Sequence, residues 1–390
     1  MNERREFLRA AGSGLLILRP ETVFGSQANS AVEIGIVGAG GRGNWIGDLF
    51  IEYTGARVAA IAEPFEDRRT EAVSKYKLDP KRAYKGRDGH RELANSKLDA
   101  VIIESPPYFH PEQAEAAVNA GKHVYLAKPV AVDVQGCKRI SAAGAKAAKA
   151  KLSFTVDFQT RAREVFQEAA KRVHRGDIGD VVLGHVYYHA SRLKPHTSGT
   201  LAPDMLAFRN WLHDKKVSGD IIVEQNIHVI DAANWYLQGH PVRAQGTCGR
   251  KARTEVGDTN DHFIVTYWYP GDVKVDFSSA QFLRGYGDLC IRVYGSKGTL
   301  DSHYNGKVEI TGDNPWPGAA KDDTFRGGAV ANLKAFVESI RSGKPINNAD
   351  HGSESTLSAI LGRLAAYSGK PVTWDEMMRG NETWEAKVPI

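Results

Sequence analysis

Cysteine is scarce in this sequence of 390 residues, which contains only Cys137, Cys248 and Cys290. Cysteines so few and so scattered exclude a disulfide framework and argue against a zinc site. No apolar run approaches the ~20 residues needed to span a bilayer, and no block of like charges is long enough for a nucleic-acid-binding stripe. We therefore expect no membrane anchor and no nucleic-acid partner.

The overall composition is that of a soluble globular protein. Hydrophobic residues make up 42% of the chain and charged residues 25%, and the net charge is +5. Such a chain can bury a sizeable core, which argues against disorder. Its length exceeds the ~250–300 residues at which a single core stops growing, so two domains are expected.

The first segment, residues 1–30, is predicted to be an export signal. Arg4 and Arg5 precede Phe7 and Leu8, and a mildly apolar stretch follows over residues 10–18. This order is typical of a twin-arginine signal. We predict a periplasmic or otherwise exported protein that uses the twin-arginine export machinery, which carries folded proteins. A frayed N-terminal arm is the alternative.

A glycine-rich turn follows this segment. It lies between a predicted strand over residues 32–37 and a predicted helix over residues 44–53. Its pattern, G-x-G-x-x-G, comprises Gly38, Gly40, Gly41, Arg42 and Gly43. The first glycine of such a pattern permits the tight turn, the second lets the backbone approach a pyrophosphate, and the third lets helix and strand pack closely. The pattern predicts a dinucleotide site.

Glu63 indicates which dinucleotide is bound. It follows the next predicted strand, residues 57–62, at about 20 residues beyond the glycine turn, where an acid bonds the adenosine ribose hydroxyls. The same acid would repel a 2′-phosphate. The sequence therefore favours NAD over NADP, although Arg42, Arg68 and Arg69 could reverse the preference.

Two further strands complete the predicted Rossmann domain, residues 31–156. They cover residues 99–103 and 121–130, with a helix over residues 111–120 between them. In such sheets ligands bind beyond the carboxyl ends of the strands. The residues that the sequence places there, and that we predict to bind the cofactor, are Ser105, Pro106, His110 and Lys128.

These segments, with residues 224–231, resemble the glucose-fructose oxidoreductase/inositol dehydrogenase (Gfo/Idh/MocA) family over nearly all of the chain after residue 30. In that family the usual signature around the lysine is Glu-Lys-Pro, and the lysine is catalytic beside the nicotinamide. Lys128 and Pro129 match this signature. Ala127 stands where the glutamate is usual, so the resemblance implies a variant site.

A second family signature reads Asp-x-Gly-x-His-x-x-Asp. In this chain Glu224, Asn226, His228 and Asp231 occupy its four positions. In the family the first acid and the histidine take part in substrate binding and proton transfer. The resemblance therefore implies that Glu224 and His228 are catalytic together with Lys128.

The residue types themselves support this chemistry. On a predicted helix over residues 221–235, the side chains of Glu224, His228 and Asp231 share one face. A carboxylate, an imidazole and an amine suit oxidation of an alcohol, because one group must take the hydroxyl proton. We predict His228 as the base and Lys128 as its electrostatic partner. Lys128 as the base, and a merely structural ion pair on the helix, remain open.

Other polar residues are candidate substrate contacts. Residues 187–211 are rich in side chains that bind hydroxyl groups, and could form either a sugar-binding segment or a solvated loop. The predicted substrate-binding set is Lys128, Gln159, Arg161, Arg209, Trp211, Glu224 and His228. No third ligand at a recognisable spacing accompanies the histidine and acids, so no metal is predicted.

The second predicted domain, residues 157–390, is α+β. Short alternating runs from residue 242 to residue 311 predict a large, mostly antiparallel open sheet, and the chain is therefore α/β overall. Predicted helices over residues 330–342 and 353–368 could pack back on the Rossmann domain. The family resemblance implies that the sheet pairs with a partner subunit, giving a homo-oligomer, either a dimer or a tetramer.

Three functions remain open. The first is an NAD-dependent oxidation of a ring hydroxyl in a sugar or glycoside, with the cofactor tightly bound because no free NAD pool exists outside the cytoplasm. The second is a glycosidase that works through transient oxidation at C3 by NAD. The third, supported by Ala127 alone, is a nucleotide-binding scaffold or sensor without turnover.

Overall fold

The computed structural model describes residues 31–197, 200–318 and 325–390, so the predicted export signal lies outside the described residues. The described chain contains one six-stranded and one eight-stranded sheet. The first is wholly parallel and the second mostly antiparallel. The predicted α/β class, with a Rossmann domain and a second sheet domain, is confirmed.

The first sheet has the strand order β3-β2-β1-β4-β5-β6, which is the doubly wound Rossmann order. Its strands are β1 (Glu33–Val37), β2 (Arg57–Ala62), β3 (Ala83–Tyr84), β4 (Ala100–Ile103), β5 (His123–Leu126) and β6 (Phe154–Val156). Its helices are α1 (Gly41–Thr54), α2 (Glu66–Tyr76), α3 (Gly89–Asn95), α4 (His110–Asn119) and α5 (Val134–Lys149). The strand order reverses between β1 and β4, so a crevice opens at their carboxyl ends.

The strands of this sheet are mostly apolar because helices cover both of its faces. Every residue of β4 is buried, for example. The strand predicted over residues 121–130 is shorter than expected, since β5 ends at Leu126 and Ala127 begins the turn that carries Lys128. The residue that follows each of these strands therefore lies at the crevice.

The second sheet is entered through α6 (Gln159–Ala162) and α7 (Glu164–His174). Its strands are β7 (Val181–Ser191), β8 (Arg243–Gly249), β9 (His262–Tyr269), β10 (Val273–Leu283), β11 (Asp288–Gly295), β12 (Gly298–His303), β13 (Val308–Gly312) and β14 (Val372–Thr373). Strand β7 pairs in parallel with β10 and antiparallel with β11. Residues 187–191 therefore lie on a central strand and not in a loop. Tyr188 is on the buried face of this strand.

The remaining helices are α8 (Pro203–Arg209), α9 (Lys215–Ser218), α10 (Ile221–Glu224), α11 (Ile227–Tyr236), α12 (Phe325–Arg341), α13 (Ala349–Ser368) and α14 (Trp374–Gly380). The single helix predicted over residues 221–235 was wrong, because the chain breaks between α10 and α11. The N–H groups of Gln225 and Asn226 both donate to the carbonyl of Ile221, at 2.9 Å each, which interrupts the regular ladder.

The last helices tie the two sheets together. Phe336 of α12 packs edge-on against Phe50 and Tyr125 of the Rossmann domain. Helix α13 is buried along most of its length, and the side-chain hydroxyl of Ser358 accepts a bond from Asn234 of α11 at 2.9 Å. Within the ranges described, no helix combines the length and apolarity that crossing a membrane requires.

Candidate active site and nucleotide cavity

The glycine turn forms a tight backbone cradle between β1 and α1. Gly38 has φ +89°, and a Cβ there would lie 2.7 Å from the backbone nitrogen of Ser105. A Cβ at Gly43 would lie 1.9 Å from the carbonyl oxygen of Gly38. Gly40 is the N-cap of α1 and supplies no side-chain cap, so the first N–H groups of this helix remain available to an anion.

A cavity extends from this cradle across the carboxyl ends of the strands and encloses about 940 Å³, open solvent at its mouth included. The predicted cofactor residues that line it are Gly38, Gly40, Gly41, Arg42, Gly43, Glu63, Ser105 and Pro106. The cradle, the helix N-terminus and the acid at the end of β2 together fit NAD. Glu63 would hold the adenosine ribose, so the end of the cavity near Ser105 and Pro106 would receive the nicotinamide.

The adenosine end has one buried acid and several arginines. Glu63 accepts a bond from the backbone N–H of Phe65 at 3.0 Å, and burial raises the pKa of its carboxyl. Arg69 donates to the carbonyl oxygen of Glu63 at 3.0 Å and is not among the residues that line the cavity. Arg68 lines the cavity and stacks over the Phe65 ring, 5.0 Å from its centre. Of the three arginines considered for a 2′-phosphate, only Arg68 lines the cavity at this end.

Arg42 turns toward the other end of the cavity. Its Nε atom lies 3.0 Å from a carboxylate oxygen of Glu104, and its Nη2 donates to Asp157 at 2.5 Å. Both carboxylates have fully buried side chains, whereas the Arg42 side chain is 34% exposed. A buried ion cluster therefore lies beside the glycine turn.

His110 holds the wall of this end in place. Its two ring nitrogens lie 2.8 Å from the carbonyl oxygens of Pro129 and Ser105, so it bridges the turns after β4 and β5. Burial, together with the charge of Lys128, lowers the pKa of His110 to about 4. In the neutral form that this pKa favours, the ring donates to one of the two carbonyls and only packs against the other.

Lys128 and Glu224 meet across the junction of the two domains. The Lys128 Nζ donates to the Glu224 backbone carbonyl at 2.5 Å and to its Oε1 at 3.1 Å. The two side chains are only 9% and 10% exposed. The other Glu224 oxygen accepts a bond from Gln225, which in turn accepts one from the Tyr188 hydroxyl at 3.1 Å. The break after α10 presents both the carbonyl and the carboxylate to the lysine.

His228 lies on the first turn of α11, near the same lysine. Burial, with the positive charges of Lys128 and Arg42, lowers the pKa of His228 well below its usual value. The imidazole is therefore neutral at neutral pH and has a lone pair that can accept a proton. Its Nδ1 lies 3.5 Å from the hydroxyl of Tyr304, and the two rings are 5.3 Å apart.

The contacts of Asp231 indicate a structural role. Its buried carboxylate accepts bonds from Arg161 Nε at 3.0 Å, from His351 at 2.8 Å and from Ser355 at 2.7 Å. Burial alone would raise its pKa, but Arg161 and His351 lower the pKa of Asp231 far below its usual value. Arg161, a predicted substrate contact, is thus held by a carboxylate in this structure.

The other predicted substrate contacts are dispersed. Gln159 is fully buried and donates to Asp157 at 3.1 Å. Arg209 pairs with Asp67 at 2.6 Å and stacks on Phe65, at the adenosine end of the cavity. Trp211 lines the same cavity. Of the predicted substrate set, the structure brings only Lys128, Glu224 and His228 together.

Several residues of the site were not predicted from the sequence. One example is the pairing of Glu104 and Asp157 through Arg42. Both acids directly follow strands, and this position was the sequence signal that could have identified them. The positions of Gln225 and Tyr304 in the site follow from the fold alone, whereas Tyr188 belongs to the stretch over residues 187–211 that the sequence singled out.

A separate group of possible metal ligands lies on β11 and β12. Cys290, Asp301 and His303 have ligand atoms within 4.8 Å of one another. Asp301 already accepts a bond from Arg292 at 2.8 Å, and His303 bonds Asp288 at 2.8 Å. These contacts describe an ion-pair network on the second sheet, apart from the glycine turn and Lys128.

Comparison with known proteins agrees with this geometry. Residues 32–158 match the model of an oxidoreductase family with an NAD-binding Rossmann fold, and residues 166–301 match the GFO/IDH/MocA C-terminal domain. The myo-inositol 2-dehydrogenase of Thermotoga maritima is 27% identical over 351 residues, covering 86% of this chain and 96% of that protein.

Solved structures share the fold. The aldose-aldose oxidoreductase from Caulobacter crescentus, solved with glycerol, aligns with a TM-score of 0.72 at 21% identity, covering 88% of this chain and 100% of that one. A levoglucosan dehydrogenase solved with NADH and levoglucosan aligns with a TM-score of 0.70 at 17% identity, covering 88% and 99%. Because both domains match models of one family, and they do so in the order in which the residue motifs occur, this chain belongs to the Gfo/Idh/MocA family of NAD-binding oxidoreductases.

Proposed function

We propose that this protein is an NAD-dependent dehydrogenase that oxidises a ring hydroxyl of a cyclic polyol, sugar or glycoside to the ketone, or runs the reverse reaction. The observation that carries the proposal is the meeting of Lys128, Glu224 and His228 at the domain junction. Lys128 interacts electrostatically there with Glu104, which lines the nicotinamide end of a cavity that fits NAD. Relatives named inositol 2-dehydrogenase support a ring hydroxyl as the target. Glu63 favours NAD over NADP.

The chain's own residues divide the work. Bound NAD supplies the two-electron acceptor. Lys128, which is held by Glu224, donates hydrogen bonds to the substrate oxygen. Its positive charge stabilises the negative charge that develops on this oxygen. The neutral His228 accepts the hydroxyl proton, and Tyr304 supports its ring. Lys128 as the proton acceptor remains the alternative.

A substrate panel tests this proposal. The purified protein is mixed with excess NAD and, separately, with cyclic polyols such as inositols, with free pyranoses and with glycosides. We expect a rise in absorbance of reduced nicotinamide for at least one of these classes. Binding of NAD without reduction by any class would favour the sensor or scaffold.

The proposal includes tight retention of the cofactor, for which the last residues of the sequence supply a structural reason. The backbone N–H of Trp384 donates to Asp133 at 2.6 Å, and Arg363 stacks over the Trp384 ring at 3.9 Å. Beyond this anchor, Val388 and Ile390 pack on the cluster of Phe65, Phe109 and Phe208, and Ile390 lines the nucleotide cavity. The segment thus forms one wall of the cavity at the adenosine end.

Deletion of residues 386–390 is expected to accelerate NAD release about tenfold while leaving the Trp384 anchor intact. The deletion removes the apolar contacts of Val388 and Ile390, and burial of such a side chain contributes about 1.5–3 kcal/mol at most. A loss of this size is enough for a tenfold change in the release rate. The release rate is measured by displacing bound NADH and following its fluorescence. Lys387→Ala, which changes an exposed side chain of the same segment, is the matched control. An unchanged release rate in the deletion variant would contradict this role.

Export and assembly complete the proposal. The arginine pair at residues 4 and 5, with the residues that follow it, supports export by the twin-arginine machinery to the periplasm or beyond. The open face of the second sheet supports a homo-oligomer, because it exposes apolar side chains such as Ile264, which is 63% exposed.

A further inference from the structure

Two carboxylates near the nicotinamide end of the cavity, those of Glu104 and Asp157, have no part in the proposed oxidation. Glu104 directly follows β4 and Asp157 directly follows β6, and both side chains are fully buried. They share the single guanidinium of Arg42. Two buried carboxylates that share one cation cannot both be compensated fully, so one of them is the weaker anion.

The hydrogen bonds identify Glu104 as that weaker anion. Asp157 accepts bonds from Arg42 at 2.5 Å, from Gln159 at 3.1 Å and from Asn332 at 2.9 Å. Glu104 has one close partner, Arg42, whose Nε lies 3.0 Å from a carboxylate oxygen, and within the described residues no donor meets either Glu104 oxygen in regular hydrogen-bond geometry. Burial raises the pKa of Glu104 to about 7, with Asp157 adding to the rise and with Arg42 and Lys128 opposing it.

The charged and titratable groups around Glu104 come from several neighbouring elements. The cations are Arg42 of α1 and Lys128 of the turn after β5, and the latter pairs with Glu224 of α10. Tyr125 of β5 is neutral because burial raises its pKa far above 10. His110 and His228 are neutral because burial lowers the pKa of each.

With Glu104 ionised, the three carboxylates Glu104, Asp157 and Glu224 face two cations, which leaves one uncompensated negative charge. The oxidised nicotinamide ring carries one positive charge, and the reduced ring carries none. A site of this kind is therefore neutral overall when the cofactor is oxidised. After reduction it has one negative charge in excess, in a buried environment where such a charge is costly.

We propose that Glu104 balances the charge of the cofactor: it is ionised when the oxidised ring is bound and takes up one proton when the reduced ring is bound. This role rests on the proposed function. Oxidation of the alcohol removes two electrons and two protons, of which the electron pair and one proton leave with the cofactor. The second proton, first taken from the hydroxyl oxygen, is then the one retained in the site on Glu104 and available for the reverse reaction.

Glu104 lies next to the unusual residue at position 127. Strands β4 and β5 pair in parallel with Ile103 opposite Leu126, so the next residues, Glu104 and Ala127, are neighbours across the two strands. In this chain the carboxylate of Glu104, which follows β4, therefore stands beside the position at which the lysine signature usually carries one. The nicotinamide end therefore keeps an acid next to the turn that carries Lys128.

The test measures nucleotide binding and does not depend on the substrate. Dissociation constants of NAD⁺ and NADH are determined from pH 6 to pH 8 for the whole protein, for Glu104→Gln and for Glu112→Gln. Glu112 lines the same cavity but its side chain is 27% exposed and paired with Arg91, so it is the matched control. Proton uptake is measured by titration calorimetry in two buffers of different ionisation enthalpy.

For the unaltered protein, the ratio of the NADH constant to the NAD⁺ constant is expected to rise with pH, by up to about tenfold per pH unit for one linked proton. Exchange of NAD⁺ for NADH should take up a proton. Glu104→Gln should give a ratio that is flat with pH and about tenfold lower at pH 8, whereas Glu112→Gln should behave as the unaltered protein does.

A pH-independent ratio in the unaltered protein would overturn the proposal, even if Glu104→Gln were too unstable to interpret. An unchanged slope in folded Glu104→Gln would also overturn it. Failure of either nucleotide to bind would instead refute the proposed function, so the two failures are distinguishable.

Discussion

Replacement of Lys128 by methionine is expected to reduce kcat at least ~1000-fold while NAD binding stays within about threefold. Lys128 is the cation that contacts Glu224 at the junction of the domains, and the glycine cradle and Glu63 hold the nucleotide elsewhere in the cavity. Loss of a positioned donor to a developing oxyanion alone costs about 10²–10³-fold, and loss of its part in proton transfer adds to this. Turnover is followed by nicotinamide absorbance, and NAD binding by calorimetry.

Lys97→Met provides the matched control, because Lys97 is exposed on the Rossmann domain before β4. It should turn over as the unaltered protein does. Normal turnover by the Lys128→Met variant would remove Lys128 from the mechanism. Loss of NAD binding in that variant would place the lysine in cofactor retention instead.

Replacement of Asp231 by alanine is expected to lower the free energy of unfolding by about 3 kcal/mol at pH 7. The substitution leaves Arg161 and His351 without their shared carboxylate, and an uncompensated buried charge is costly. The measurement is the midpoint and slope of urea denaturation. Asp231→Asn retains an acceptor for Ser355 and should lose less stability.

The pH dependence of this loss has a definite sign. The pKa of Asp231 is depressed in the folded protein, so its ionised form contributes stability above the unfolded pKa of about 4. That contribution disappears as the pH falls below this value, and the unaltered protein and Asp231→Asn should therefore converge in acid. A variant of full stability but with weakened substrate binding would contradict the structural role and favour Arg161 as a substrate contact.

The nucleotide-binding half was the more predictable part of the fold. A glycine turn between a strand and a helix is a local pattern, and the acid about 20 residues later is fixed by the length of one βα unit. The family resemblance, which rests on local motifs, also predicted that Glu224 acts together with Lys128. The confirmed fold class follows from these patterns and from the alternating runs of the second half.

Other features depend on contacts between distant residues. The sharing of Arg42 by Glu104 and Asp157 requires the strand order, since these residues follow different strands of the sheet. The break before α11 depends on two N–H groups that compete for the carbonyl of Ile221, which no periodicity reveals. The course of the last residues to the nucleotide cavity follows from packing on Phe208 and its neighbours.

The most direct test of the central claim records two signals in one cuvette. Near-stoichiometric protein is mixed with a panel of chromogenic glycosides, and nicotinamide absorbance and aglycone release are followed together. The account predicts reduced nicotinamide without aglycone release, for the class of sugar that is oxidised. Catalytic aglycone release with no net reduction would contradict it and identify a glycosidase that works through transient oxidation.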